Sequence, residues 1–371
     1  MTTRVGILCN GVIPGAGLPS GAQGLRALGL YRGFQALGIQ ADIISKVSLV
    51  HNQIAKWDAT CARIPRYWRL VQESRLHSVL NQDYSTVIIL NWAALPDFRP
   101  IGGTKLIYDF FSATMVEHSF ISETEALKQN KARKVDLLSC AAAFIANGVG
   151  RAEYGKMFLQ QNGLGDHEVV SVPIAMEPLS LETQSASTFR VFAGGFDQAW
   201  TKGLSVEDMV GLAVDQDMEI HIIGIGQNTN RPRNDNRIRA AKDATSTAHV
   251  IAHPTSTTDN YNRINACCHV ALDVFDRNSE REISYSTRAI SSLSNRCPLI
   301  TMSFTEIGKL VSETGAGWTL DEFSIKELAK LISYIRNNPR ELEQKRQNTD
   351  VFWRKYACPE TQAHKLVDLI Q

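Results

Sequence analysis

Short apolar runs alternate with helix-length amphipathic segments along nearly the whole chain, and the alternation breaks once, at 174–188. Before the break, strands are expected at 4–10 (RVGILCN), 41–45, 86–91, 105–110, 142–148 and 168–173. Helical patterns fall near 22–37, 66–81, 115–139 and 150–162. Strands of this length, separated by helices, read as a parallel sheet covered on both sides. The break, IAMEPLSLETQSAST, holds one proline and many small polar residues, as a linker does. The pattern then restarts, with strands at 189–196, 219–226, 249–254, 270–276, 298–302 and 317–320. Helices are expected near 204–214, 235–244, 258–268, 286–295, 305–314 and 324–337, and 339–356 and 359–371 follow the last strand. The expected architecture is α/β: two Rossmann-like, doubly wound domains, 1–173 and 189–356, facing across a cleft at the carboxyl ends of their strands. The terminal segment 357–371 is expected to pack back on the first domain.

Composition narrows the function. At 371 residues with 44% hydrophobic side chains, the chain can bury a core without staples. Its net charge of +1 shows no overall basic excess, so a nucleic-acid partner is not expected. The longest apolar run, LLSCAAAFIA at 137–146, falls short of the roughly 20 residues a membrane span needs. MTTRVGILCNG reads as a buried strand rather than a signal peptide. Seven cysteines form no Cys-x-x-Cys pair, which suits reduced thiols in a cytoplasm. The histidines show no ligand spacing, the nearest being His249 with His253, so no metal is expected.

Gly15, Gly17, Gly21 and Gly24 precede or open the first helix. Such a loop lets backbone N–H groups approach an anion. It is also what a flexible loop at a domain edge looks like. The dinucleotide fingerprint fails twice: Gly15-x-Gly17 leads to Ser20, and Gly224-x-Gly226 leads to Thr229. In the second domain, a strand ends in Gly194-Gly195 and Lys202 follows ahead of a helix, where its charge can neutralise a diphosphate. An isolated lysine is otherwise a solvated surface group. Ser286 and Thr287 are good N-cap residues, and the helix they open offers an anion seat. Arg288 lies in its first turn, against the dipole, which points to a partner: a phosphate, Glu282 or a structural salt bridge. Asp109 and His118 flank the end of the strand at 105–110 and suit acid–base or positioning roles. A turn ligand and an ordinary helix residue are the plainer readings.

This layout resembles the GT-B-fold glycosyltransferases, in particular glycosyltransferase family 4. Gly21-Ala22 and Gly38-Ile39 resemble that family's early Gly-Gly and later Gly-His. Ala193-Gly194-Gly195 followed by Lys202-Gly203 resembles its glycine strand and Lys-Gly. Ile223-Gly224-Ile225-Gly226 is similar to its second glycine strand. Ser294–Ile300, Glu306–Val311 and Gly315-Ala316-Gly317 resemble its closing pattern. Tyr285-Ser286-Thr287 falls where family amides hold the donor diphosphate. The family's Glu-x7-Glu pair, however, lands on Ile283 and Ser291, with Glu282 one place off. The basic residue before Lys-Gly is replaced by Phe196-Asp197-Gln198.

The resemblance implies a glycosyltransferase of hexosyltransferase type, moving a sugar from a nucleotide-diphosphate sugar to a glycan or glycolipid. It needs no cofactor beyond that co-substrate. The expected donor residues are Gly195, Lys202, Gly224, Gly226, Tyr285, Ser286, Thr287 and Arg288, with Gly21 on the acceptor side. Asp109, His118 and Glu282 are the expected catalytic groups. The alternatives are a non-catalytic sugar-nucleotide-binding scaffold, or a sugar-nucleotide hydrolase or epimerase. Two basic stretches, 56–75 and 128–134, mix Lys and Arg with Trp57, Tyr67 and Trp68. They suit an anionic membrane surface and hence a peripheral location, or else plain solvated helix faces.

Overall fold

The computed structural model describes residues 3–57, 62–112, 116, 125–178, 188–194, 203–223, 249–253 and 257–371. The chain divides into two compact units. The first comprises Met1–Glu177, Ile283–Tyr285 and Tyr356–Gln371, and the second Pro178–Glu282 and Ser286–Lys355.

The first unit is built on β1 (Arg4–Leu8), β2 (Gln40–Lys46), β3 (Trp68–Val71), β4 (Thr86–Ile89), β5 (Lys105–Phe110), β6 (Ala143–Ala146) and β7 (Val169–Ser171). They form one sheet in the order β3-β2-β1-β4-β5-β6-β7, parallel throughout. Its central strands are buried on both sides, with Ile7, Ile43, Ile88 and Ile107 on one face and Leu8, Ile44, Ile89 and Leu106 on the other all closed to water. The helices are α1 (Ala22–Ala36), α2 (Val47–Trp57), α3 (Leu76–Asp83), α4 (Glu125–Leu138) and α5 (Val149–Gln161).

The helix expected over 66–81 is in part a strand. Trp68–Val71 pairs with Ile43–Lys46, and the Trp68 indole Nε1 donates to buried Ser45 Oγ at 2.9 Å. Sheet pairing and that hydrogen bond override a locally helical pattern. Helix α2 follows β2 directly and was not expected. Helix α4, Glu125–Leu138, falls within the expected 115–139, of which 115 and 117–124 lie outside the described residues.

The second unit repeats the plan with β8 (Arg190–Gly194), β9 (Glu219–Ile223), β10 (Val250–His253), β11 (Val270–Asp273), β12 (Leu299–Met302) and β13 (Gly317–Leu320). Their order is β10-β9-β8-β11-β12-β13, again parallel. The described helices are α6 (Val206–Asp215), α7 (Thr258–Ala266), the single turn α8 (Ser279–Glu282), α9 (Thr287–Ser294), α10 (Glu306–Thr314), α11 (Ile325–Asn337) and α12 (Pro339–Phe352). The expected helix at 235–244 lies outside the described residues. Polar residues start most of these helices: Ser205, Thr257, Ser286, Thr305 and Ser324 each accept a backbone N–H. Both sheets are thus doubly wound. The direction in which successive strands are added reverses between β1 and β4 in one and between β8 and β11 in the other, where such sheets bind ligands.

The last helices, α13 (Pro359–His364) and α14 (Val367–Ile370), belong to the first unit. Helix α13 packs on α1 at Gly33, where a β-carbon would stand 2.4 Å from the Pro359 carbonyl oxygen. Only a glycine allows that approach.

Candidate functional site

In the second unit the switch point is set by Gly194, ending β8, and Asp273, ending β11. The space beside Gly194 is taken: a β-carbon there would meet the Phe192 ring at 2.8 Å and the Tyr261 hydroxyl at 3.1 Å. Phe192 and Tyr261 meet edge to face, 5.2 Å between centroids. That packing delivers the Tyr261 hydroxyl to the end of β8, buried and without a hydrogen-bond partner among the described residues. Burial raises its pKa, so it stays a proton donor at neutral pH.

Asp273 carries its carboxylate at the carboxyl edge of the sheet, with 3% of its side chain exposed. Arg288 Nη2 donates to Asp273 Oδ1 at 3.3 Å. This answers the question raised by a cation in the first turn of α9: Asp273, rather than Glu282, is its partner. Ser286 caps α9, its Oγ accepting the Ala289 N–H at 3.4 Å. Thr287 follows as the first helical residue.

Beyond β11, Gly203 bridges to Phe275 in an antiparallel step. Arg281 stacks over the Phe275 ring, 5.0 Å to the centroid, and pairs with Glu280. Both charged side chains are buried. Glu282, by contrast, is exposed and accepts from Arg277 Nε at 2.6 Å. The Glu282–Arg288 unit that the sequence suggests is therefore not formed. Each residue has taken another partner.

Tyr285 is buried with residues of the first unit, and its carbonyl accepts from Asn147 Nδ2 at 3.3 Å. In that unit Gly21 precedes α1 as an exposed N-cap with open space at its Cα. Asp109 does not reach solvent. Arg26 Nε donates to its Oδ2 at 2.8 Å, and burial raises the carboxyl pKa against the pull of Arg26. His118, Gly195, Lys202, Gly224 and Gly226 lie outside the described residues.

The basic stretches are less exposed than their composition suggests. Lys134 is sealed among Phe158, Phe110 and Tyr108, 4.4 Å from the nearest ring centroid. Trp68 belongs to the core, and Tyr67 stacks on Tyr31 at 4.7 Å. Arg63, Arg66, Arg75, Lys131 and Arg133 are exposed. Among the described residues, no helix is long and apolar enough to cross a membrane and no cluster of three or more ligands could hold a metal.

Asp273, Tyr261, Arg281 and Glu280 are the residues that sequence reasoning missed. An acid closing the apolar run VALD is a usable signal for Asp273 once strand order is known. Tyr261 has none, because its role depends on Gly194 and Phe192, distant in sequence.

Neither a protein-family model nor a curated protein sequence matches the chain. Solved structures do. Sucrose-phosphate synthase from Thermosynechococcus elongatus is 14% identical with a TM-score of 0.67, covering 99% of this chain and 98% of that one. HepE of Anabaena, in complex with UDP-glucose, is 12% identical with a TM-score of 0.69, covering 99% of both chains. TarM of S. aureus, in complex with fondaparinux, alpha-GlcNAc-glycerol and UDP, is 10% identical with a TM-score of 0.67 over 100% of both. Such identities speak to the fold alone: two parallel-sheet α/β units, as in GT-B glycosyltransferases.

Proposed function

We propose that this chain is a glycosyltransferase that moves a hexosyl group from a nucleoside-diphosphate sugar to a hydroxyl of a glycan or glycolipid. The observation that carries the reading is Arg288 with the Ser286-capped start of α9, at the switch point of the second sheet. The same fold holds UDP-glucose in HepE and UDP in TarM. In this reading the second unit takes the donor. Lys202, Arg288 and the N–H groups opening α9 meet the charge that develops on the leaving diphosphate, worth several kcal/mol when preorganised, about 3 for one such donor. Those groups supply what a metal would, so none is required. Gly195, Gly224 and Gly226 let backbone approach the nucleotide. Glu282, paired with Arg277 among the described residues, exchanges that partner for the ribose hydroxyls.

The first unit takes the acceptor, with Gly21 admitting it near α1 and His118 as the base. Asp109 serves by position: sealed against Arg26, it fixes the end of β5. The exposed Arg63, Arg66, Arg75, Lys131 and Arg133 give that unit an attraction to anionic lipid, about 1 kcal/mol for each residue near the surface. Peripheral attachment at a cytoplasmic membrane face follows.

A second reading, a sugar-nucleotide-binding protein without transfer, is favoured by Ile283 and Ser291 standing where the resembling family keeps acids. Release of free nucleoside diphosphate from UDP-sugar and GDP-sugar donors, measured with and without acceptor, separates them. Acceptor-stimulated release supports transfer. Binding without release supports the second reading, and acceptor-independent release a hydrolase.

A further inference from the structure

The second unit places a carboxylate where an anionic ligand is expected. Residues 273–288 carry Asp273, Asp276, Glu280 and Glu282 against Arg277, Arg281 and Arg288. The three arginines are all engaged: Arg277 with Glu282, Arg281 with Glu280 and Arg288 with Asp273. This wall of the donor site therefore carries no surplus positive charge. Of its acids, Asp273 stands at the switch point itself.

The Asp273–Arg288 contact is a single one, at 3.3 Å, longer than the roughly 2.7–2.9 Å of a close charge-assisted bond. A guanidinium has five N–H donors, so Arg288 can reach a phosphate oxygen while keeping its carboxylate partner. The carboxylate then remains beside the diphosphate. With 3% of its side chain exposed, Asp273 is poorly screened by water or salt.

We propose that Asp273 is a tuning residue that weakens the second unit's hold on a nucleoside diphosphate, holding back part of the charge of Arg288 and repelling the product. The inference rests on the donor reading above. It gives Asp273 a reason to be acidic: a seat that binds the leaving diphosphate too tightly would be slow to release it, and release often limits turnover. If Asp273 only oriented Arg288, neutralising it would loosen the arginine and weaken binding. The two roles predict opposite signs.

Isothermal titration of the full chain with UDP and with uridine tests this, using wild type, Asp273→Asn and Asp273→Ser. Melting curves identify any variant that fails to fold, and the other then carries the reading. The expected result is UDP binding about ten-fold tighter in the variants, uridine binding unchanged, and a gain that largely survives as salt rises, since the carboxylate is buried. UDP affinity that is unchanged or weaker in a folded variant overturns the role of Asp273 and leaves the donor reading standing. If wild type and variants all fail to bind UDP, GDP and ADP, the donor reading falls and this inference with it.

Discussion

Arg26 and Asp109 form an ion pair that water does not reach: their side chains are 1% and 0% exposed, 2.8 Å apart. Arg26 Nη1 also donates to the Val172 carbonyl at 2.6 Å. One guanidinium thus fastens α1 to β5 and to the segment after β7. Burial works against the ionised carboxylate and Arg26 works for it. Removing one partner leaves the other charge buried and alone, which costs about 3–5 kcal/mol. Arg26→Met and Asp109→Asn should each lower the urea midpoint of the first unit accordingly. A loss within 1 kcal/mol would show that the pair fastens nothing.

Lys202→Ala and Arg288→Ala should each weaken nucleoside-diphosphate binding by about 1.5–3 kcal/mol, the value of a hydrogen bond to a charged group. Binding of the bare nucleoside should change far less. Calorimetry with UDP and uridine reads both, and an equal loss for the two ligands contradicts a phosphate role.

Glu282 is held by one exposed arginine, so truncating it costs the fold little, about 0–1 kcal/mol. If it binds the ribose, Glu282→Ala should still lower turnover or donor affinity about 10-fold. Kinetics at the wild-type level would reduce it to a surface ion pair.

At Gly33 the close approach of α13 leaves no room for a methyl group, since Ala363 Cβ would stand 2.5 Å from it. Gly33→Ala should cost about 1–3 kcal/mol. Limited proteolysis should then clip residues 359–371 faster than in wild type. Unchanged cleavage would mean that α1 yields easily.

Three half-buried histidines set an acid limit on the second unit. His221 Nδ1 and His253 Nε2 share a hydrogen bond of 3.0 Å, and burial lowers the pKa of both, as it does for His269. Folded, they stay neutral; unfolded, they take up protons near pH 6.5. The unfolded state therefore binds more protons below that value, and stability falls as pH drops through 6.5 toward their folded pKa values. Urea melts at pH 7.5 and 5.5 should show a lower midpoint in acid, and His253→Asn should narrow the difference. Equal midpoints in the wild type would contradict it.

Strand positions came largely from pattern: runs such as RVGIL, KLIYDF and VALD are short, apolar and spaced by amphipathic helices, and two-sided burial leaves them few other uses. Trp68–Val71 escaped because an edge strand takes its conformation from β2 and from Ser45, not from its own periodicity. The N-cap Ser286 and the misplaced charge of Arg288 were legible because capping and dipole are local effects. Partner choice was not. Nothing near Arg288 in sequence distinguishes Asp273 from Glu282, which is why the wrong acid stood out. Lys134 looks like surface charge until the rings of Phe110 and Phe158 surround it.

The seating of α13 on Gly33 decouples the order of synthesis from the order of assembly. On a ribosome, β1 and α1 emerge long before α13, and the surface of α1 that receives Pro359 stays bare until α13 has left the exit tunnel. The second unit, apart from the segment 283–285 lent to the first, is made continuously and can complete its sheet earlier. An early apolar surface waiting for a late partner is a site for chaperones during that interval. Removal of residues 359–371 would thus injure a unit whose strands are encoded far upstream of them.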